Sequence, residues 1–171
     1  MHCLIVGPPG VGKSTLICRV LRELALPVAG FVTKKQPAPA GETRGCPVYL
    51  YPADEAEKDG ALVCYCGQKN LEQAREAFDR FAPRLLEEAA PGSVFLMDEL
   101  GFLESRAQAF CSAVLQRLDG DVPVIAAVKD RETPFLAQVR AHGNCRVFPI
   151  SRENRDALFF DVLEFMKQQT R

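Results

Sequence analysis

The sequence predicts an α/β protein of three layers, a doubly wound, mainly parallel sheet with a small antiparallel strand addition, covered by helices on both faces. Three observations predict it. Short apolar runs at 3–6, 28–33, 94–97, 122–128 and 146–150 alternate with longer stretches whose apolar residues recur every three or four positions. Strands alternating with helices imply a parallel sheet with right-handed crossovers. Two further apolar runs, 48–51 and 62–65, are separated only by the polar segment 52–60, the pattern of an antiparallel hairpin or meander. Finally, the first run passes through a glycine-rich turn directly into a helical pattern.

The elements follow in order. Residues 3–6 are apolar and bounded by glycine, as in a strand buried on both faces. Helical spacing runs from Lys13 to Leu24, and a strand over 28–33 begins after Pro27. Residues 34–45 are rich in proline, alanine and glycine with interspersed charges, the composition of a mobile surface loop that contributes no core. Leu71, Ala74, Phe78, Phe81 and Leu85 form one apolar helix face, which Pro83 is expected to kink or break. A continuous apolar strand over 94–97 ends at Asp98 and Glu99. A helix over 103–118, a strand over 122–128, a helix over 135–141, a strand over 146–150 and an amphipathic helix over 154–167 complete the pattern.

A chain of 171 residues, 47% apolar and 25% charged, is expected to bury a substantial core as one domain spanning 1–171. Its net charge is −1 with the signs interspersed, so nothing indicates a nucleic-acid or membrane surface. The N-terminus has no basic segment and only four apolar residues before the glycines. That excludes a signal peptide or membrane span there, and a cytoplasmic protein is expected. Seven cysteines, scattered and mostly in apolar segments, suit reduced small hydrophobes. Cys64 and Cys66 form the one close pair. His2 and His142 lie far off in sequence, so two cysteines near a strand end is a simpler reading than a metal site.

Gly7-Pro8-Pro9-Gly10-Val11-Gly12-Lys13-Ser14 fits the phosphate-loop pattern G-x-x-x-x-G-K-[ST] without mismatch, between a strand and a helix as that pattern requires. Gly7, Gly10 and Gly12 permit backbone angles that wrap amides around a polyphosphate, and the helix start through Thr15 adds unpaired donors. Lys13 would reach the β and γ phosphates, and Ser14 would offer its hydroxyl to Mg²⁺. The expected ligand is a nucleoside triphosphate, ATP, GTP or another, with Mg²⁺ as cofactor.

Asp98, at the end of its apolar strand, has the position of the acid that holds Mg²⁺ in such proteins, usually through water. Glu99 is the more informative residue. A carboxylate there orients or deprotonates a water aimed at the γ-phosphate, whereas a small-molecule kinase needs no activated water. Candidates for a cation that stabilises the transferring phosphoryl group are Arg44, Lys129, Arg131, Arg152 and Arg155. Base contacts are expected from loops such as 151–155, with Asn154 and Arg155 as the nucleotide-binding candidates. Two rivals use the same cradle. One is a nucleotide or small-molecule kinase closing over an acceptor; the other is a slow switch module that resets a partner complex. The oligomeric state is left open.

Four segments carry a resemblance to a known family: Gly7 to Thr15; Gly30-Phe31-Val32-Thr33 with a loop ending Gly41-Glu42-Thr43-Arg44-Gly45; Phe95 to Gly101; and Glu153-Asn154-Arg155-Asp156. In these the chain resembles the THEP-type nucleoside triphosphatases, and the segments span nearly its whole length. The resemblance implies magnesium-dependent hydrolysis of ATP, GTP and other nucleoside triphosphates with weak base preference. It also implies that Lys13 and Ser14 bind phosphate and metal, that Asp98 supports the metal and that Glu99 activates water. The chain departs from the family pattern at Lys34-Lys35-Gln36, where an acid and an arginine are usual, and near Cys64-Tyr65-Cys66, where a glycine, a basic residue and a tyrosine are usual.

Overall fold

A computed structural model describes residues 1–54, 60–68 and 70–170. Seven strands form one sheet: β1 (His2–Gly7), β2 (Val28–Lys35), β3 (Pro47–Pro52), β4 (Ala61–Tyr65), β5 (Val94–Leu100), β6 (Val124–Lys129) and β7 (Cys145–Pro149). Between and after them lie α1 (Lys13–Leu24), α2 (Leu71–Leu86), α3 (Gln108–Leu118), α4 (Pro134–Arg140) and α5 (Arg155–Gln169), with a short 3-10 turn over Leu103–Arg106. The spatial order is β4-β3-β2-β5-β6-β1-β7. Among the described strands, the β2–β3 and β3–β4 pairings are antiparallel and the others parallel. The expected three-layer, mainly parallel fold with an antiparallel addition is the one observed; the connection expected over 52–60 lies partly outside the described residues.

The layers follow from residue alternation, because successive side chains of a strand point to opposite faces. Leu4, Val6, Phe95, Met97, Val124, Ala126 and Val128 join α2, α3 and α4 in one apolar core, while Cys3, Ile5, Val94, Leu96, Ile125 and Ala127 join α1 and α5 in the other. The first core is aromatic: Phe31 meets Phe81 and Phe110 edge-on at 6.0 and 5.4 Å between ring centroids, and Phe78 meets Phe110 at 4.8 Å. Each such pair contributes about 0.5–1.5 kcal/mol beyond its buried area.

Strands β2 and β5 run on past their expected ends, to Lys35 and Leu100, and three other departures from expectation have local causes. Helix α2 runs through Pro83 and stops one turn later, at Leu86. The stretch expected as one helix over 103–118 divides at Ala107, whose extended ψ of 84° ends the 3-10 turn; Asp79 of α2 accepts the amides of Ala109 and Phe110 at 3.1 and 3.3 Å and so caps α3 from outside. Strand β6 begins at Val124, after Pro123, because proline has no amide to give the ladder.

Gly30 fixes the joint between the antiparallel and parallel parts of the sheet. Its φ is +107°, and a Cβ there would lie 2.0 Å from the carbonyl oxygen of Leu96 on β5. Both features exclude a side chain. Gly30→Ala is expected to cost about 3 kcal/mol or more and to lower Tm by about 10 °C, measured by thermal denaturation.

Candidate active site

The cradle forms where β1 ends and α1 begins. Gly12, with φ +110°, turns the chain into the helix in a conformation that L side chains rarely adopt. The first turn of α1 has neither an acidic residue nor a side-chain cap, so its amides stay available to an anion. Lys13 is nonetheless only 4% exposed. Its Nζ donates to the carbonyls of Gly7 and Pro8 at 2.8 and 2.9 Å and sits 2.8 Å from Glu99 Oε1.

Asp98 and Glu99 reach this point across the sheet. Strand β6 lies between β1 and β5, so the cradle and the acids end on strands two places apart, at the carboxyl edge where ligands of open α/β sheets bind. Ser14 Oγ donates to Asp98 Oδ1 at 2.9 Å. Burial pushes the Asp98 carboxyl above the usual carboxylate range; the Ser14 hydroxyl opposes this and neighbouring Glu99 adds to it. Thr33 holds the acid-bearing backbone: its hydroxyl donates to the Asp98 carbonyl and accepts from the Glu99 amide, both at 3.2 Å. The Gly-Phe-x-Thr segment therefore has a structural meaning, in which Gly30 permits close approach, Phe31 fills the core and Thr33 clamps the acid pair.

Lys129, at the end of the intervening strand, is turned to Glu99, its Nζ 3.4 Å from Oε2. Glu99, 22% exposed, therefore lies between two ammonium groups. The other cations expected near the phosphoryl group are placed differently. Arg44 grips Glu42 with Nε and Nη2 at 2.9 and 2.7 Å and stacks 4.1 Å over Tyr65, in the loop before β3. Arg131 stacks 4.9 Å over Phe102, and Arg152 is exposed on the turn before α5.

Asn154 uses both ends of its amide to shape that turn, accepting from Ser151 N–H at 2.8 Å and donating to the Pro149 carbonyl at 2.9 Å. Arg155 reaches the cradle itself, its Cδ 3.8 Å from where a Gly12 Cβ would stand. Together with Thr15, Leu16, Arg19 and Asp156 these residues line a cleft of about 250 Å³ beside the phosphate loop.

Glu104 escaped the sequence reasoning. Only 3% exposed, it accepts the Gly101 amide at 3.0 Å. With Thr33, Glu99, Gly101 and Lys129 it lines a chamber of about 50 Å³, room for a few waters. The signal available was an acid following the apolar stretch Leu100-Gly101-Phe102-Leu103. Burial raises its carboxyl to about 7; Lys129 on β6 opposes this, Glu99 on β5 reinforces it, and the thiols of Cys111 on α3 and Cys64 on β4 also face it.

Because the folded carboxyl holds its proton to a higher pH than the unfolded one, whose ordinary value is 4.5, Glu104 removes stability as pH rises from about 4.5 to 7 and no more above that. The ceiling is about 3 kcal/mol. Glu104→Gln keeps an acceptor for Gly101 and lacks the charge, so its Tm is expected to gain on the parent's between pH 5 and pH 7 and then to hold that gain at higher pH in thermal melts.

Comparison with known proteins adds four matches. The sequence model of a family described as NTPase matches residues 2–163. The nucleoside-triphosphatase THEP1 of Thermotoga maritima is 29% identical over 98% of this chain and 96% of its own. Among solved structures, the crystal structure of THEP1 from Aquifex aeolicus has the same fold with a TM-score of 0.72 at 24% identity, covering 96% of this chain and 98% of its own. The solution structure of a human cancer-related nucleoside triphosphatase has a TM-score of 0.65 at 26% identity, covering 98% and 97%.

Proposed function

We propose, from the premise that this chain belongs to the NTPase family, how it hydrolyses nucleoside triphosphates: it releases the γ-phosphate of a triphosphate held at the 7–15 loop, with Glu99 directing the attacking water. The observation that carries this reading is the position of Glu99, ion-paired to the cradle lysine at 2.8 Å while its neighbour Asp98 accepts from Ser14. A carboxylate so placed lies beside any γ-phosphate that Lys13 contacts. It is free to accept a hydrogen bond from water on the far side of that phosphate once Lys13 turns to the substrate.

The Ser14 hydroxyl and the Asp98 carboxylate are hard oxygen donors already in contact, the donor set that suits Mg²⁺. Ser14 and Asp98 would hold such an ion, which would supply charge neutralisation at the phosphates. The remaining roles belong to the chain. Gly10 to Gly12 and the first turn of α1 supply amides to the phosphates, Pro8 and Pro9 having none to give, and Lys13 supplies a mobile positive charge. Thr33 holds the Asp98–Glu99 backbone in place, and Arg155 borders the cleft that would receive the nucleoside. The lining of that cleft, Gly12, Thr15, Leu16, Arg19, Arg155 and Asp156, holds no aromatic ring or side-chain amide to read a base edge, which supports weak discrimination among bases.

The test is phosphate release across ATP, GTP, CTP and UTP, with and without magnesium. The expected result is comparable release from all four that depends on the metal. Labelled γ-phosphate appearing on a nucleoside monophosphate, with none as free phosphate, would replace hydrolysis by kinase chemistry.

A further inference from the structure

We propose that Glu104 is a positioning residue for hydrolysis: from behind Gly101 it holds Lys129 in place, and Lys129 in turn holds Glu99 when Lys13 leaves it for the triphosphate. The proposal rests on the role given to Glu99 above. Glu99 has two cationic partners, Lys13 at 2.8 Å and Lys129 at 3.4 Å. Substrate competes for the first of them, because the ammonium that grips Glu99 is the one the phosphates require. After that exchange Lys129 is the cation left on Glu99. Where Lys129 points then decides where the carboxylate points.

Lys129 is placed by its surroundings. A Cβ built on Gly101 would have Lys129 Cδ at 3.1 Å, Lys129 Nζ at 3.4 Å and Glu104 Oε2 at 3.5 Å, so both charged groups close on the bare face of this glycine. The ring of Phe102 lies 5.9 Å from the same ammonium. Glu104, fixed by the Gly101 amide and buried under α3, cannot swing out to solvent. An ionisable carboxyl in such a place loses its hydration and needs a compensating partner. Lys129, which lines the same chamber, is the cation that faces it, and opposite charges inside a protein are felt more strongly than at the surface. Three elements thus converge on one carboxylate: β5 carries Glu99, β6 carries Lys129 and the 3-10 turn carries Glu104.

The experiment measures kcat and KM for magnesium-ATP at pH 8 in the parent, Glu99→Gln, Glu104→Gln, Lys129→Met, the Glu104→Gln/Lys129→Met double variant and Gly101→Ala, with a thermal melt of each. Glu104→Gln is expected to lower kcat about tenfold while KM stays within about twofold and Tm does not fall. Lys129→Met should lower kcat similarly, and the double variant should be no slower than the slower single one, because both changes break one relay. Gly101→Ala pushes a methyl against Lys129 without altering charge and should also lower kcat selectively; Lys129→Arg should recover part of what Lys129→Met loses. Parent-like kcat in Glu104→Gln together with a slow Glu99→Gln overturns the inference alone, as do fully additive losses in the double variant. Parent-like kcat in Glu99→Gln overturns the role of Glu99 itself and this proposal with it.

Discussion

Glu99→Gln is expected to lower phosphate release by about a hundredfold or more while leaving nucleotide affinity within a few-fold of the parent. The amide preserves the volume and one acceptor of the carboxylate but removes its charge. It can neither draw a proton from water nor bind two ammonium groups as Glu99 does at 2.8 and 3.4 Å. Affinity should hold or rise slightly, because Lys13 no longer has to abandon an ion pair to reach the phosphates. The measurement is single-turnover hydrolysis beside equilibrium binding of a fluorescent nucleotide. A variant that binds weakly but turns over at the parent's rate would place Glu99 in substrate binding instead of chemistry.

Lys13→Ala should have the opposite profile, with its main loss in affinity. Hydrogen bonds to charged groups are worth about 1.5–3 kcal/mol each, so losing the ammonium from a polyphosphate should weaken binding on the order of tenfold to a hundredfold or more. The fold should suffer too. Lys13 is buried and satisfies the Gly7 and Pro8 carbonyls, and its removal leaves both without that donor and Glu99 with only the more distant ammonium. Isothermal titration with a non-hydrolysable triphosphate checks the affinity, and a melt without nucleotide checks the fold. Unaltered affinity would show that the cradle amides alone hold the phosphates.

Part of this architecture is legible in the sequence itself. The phosphate loop is, because its spacing is dictated by backbone geometry around an anion and is written in adjacent residues. The acid pair is legible as the polar interruption of an apolar run, although the strand expected to stop at Met97 continues through Asp98 and Glu99 to the buried Leu100. Contacts between residues distant in sequence are not. Nothing near Thr33 announces that its hydroxyl bridges Asp98 and Glu99, since the partners are 65 and 66 positions away. Lys129 was expected to face the phosphoryl group because it ends a strand at the right edge; that β6 lies beside β5, bringing it to Glu99, is a property of strand order. Arg44, placed near the phosphates by its loop, is occupied with Glu42 and Tyr65 only two and twenty-one positions along. The break at Ala107 depended on a cap supplied from α2 by Asp79. Local pattern could not reveal a partner from another helix.

The two outermost strands, β4 and β7, are five residues each. A sheet normally advertises its unpaired amides and carbonyls along its margins, and another chain can extend the ladder there. Here each margin is a stub that offers only a handful of such groups, and β7 ends in Pro149, which has no amide to give. Copies of the protein that collide side by side find little to zip together, so a deep parallel sheet can persist in a crowded solution without seeding fibres.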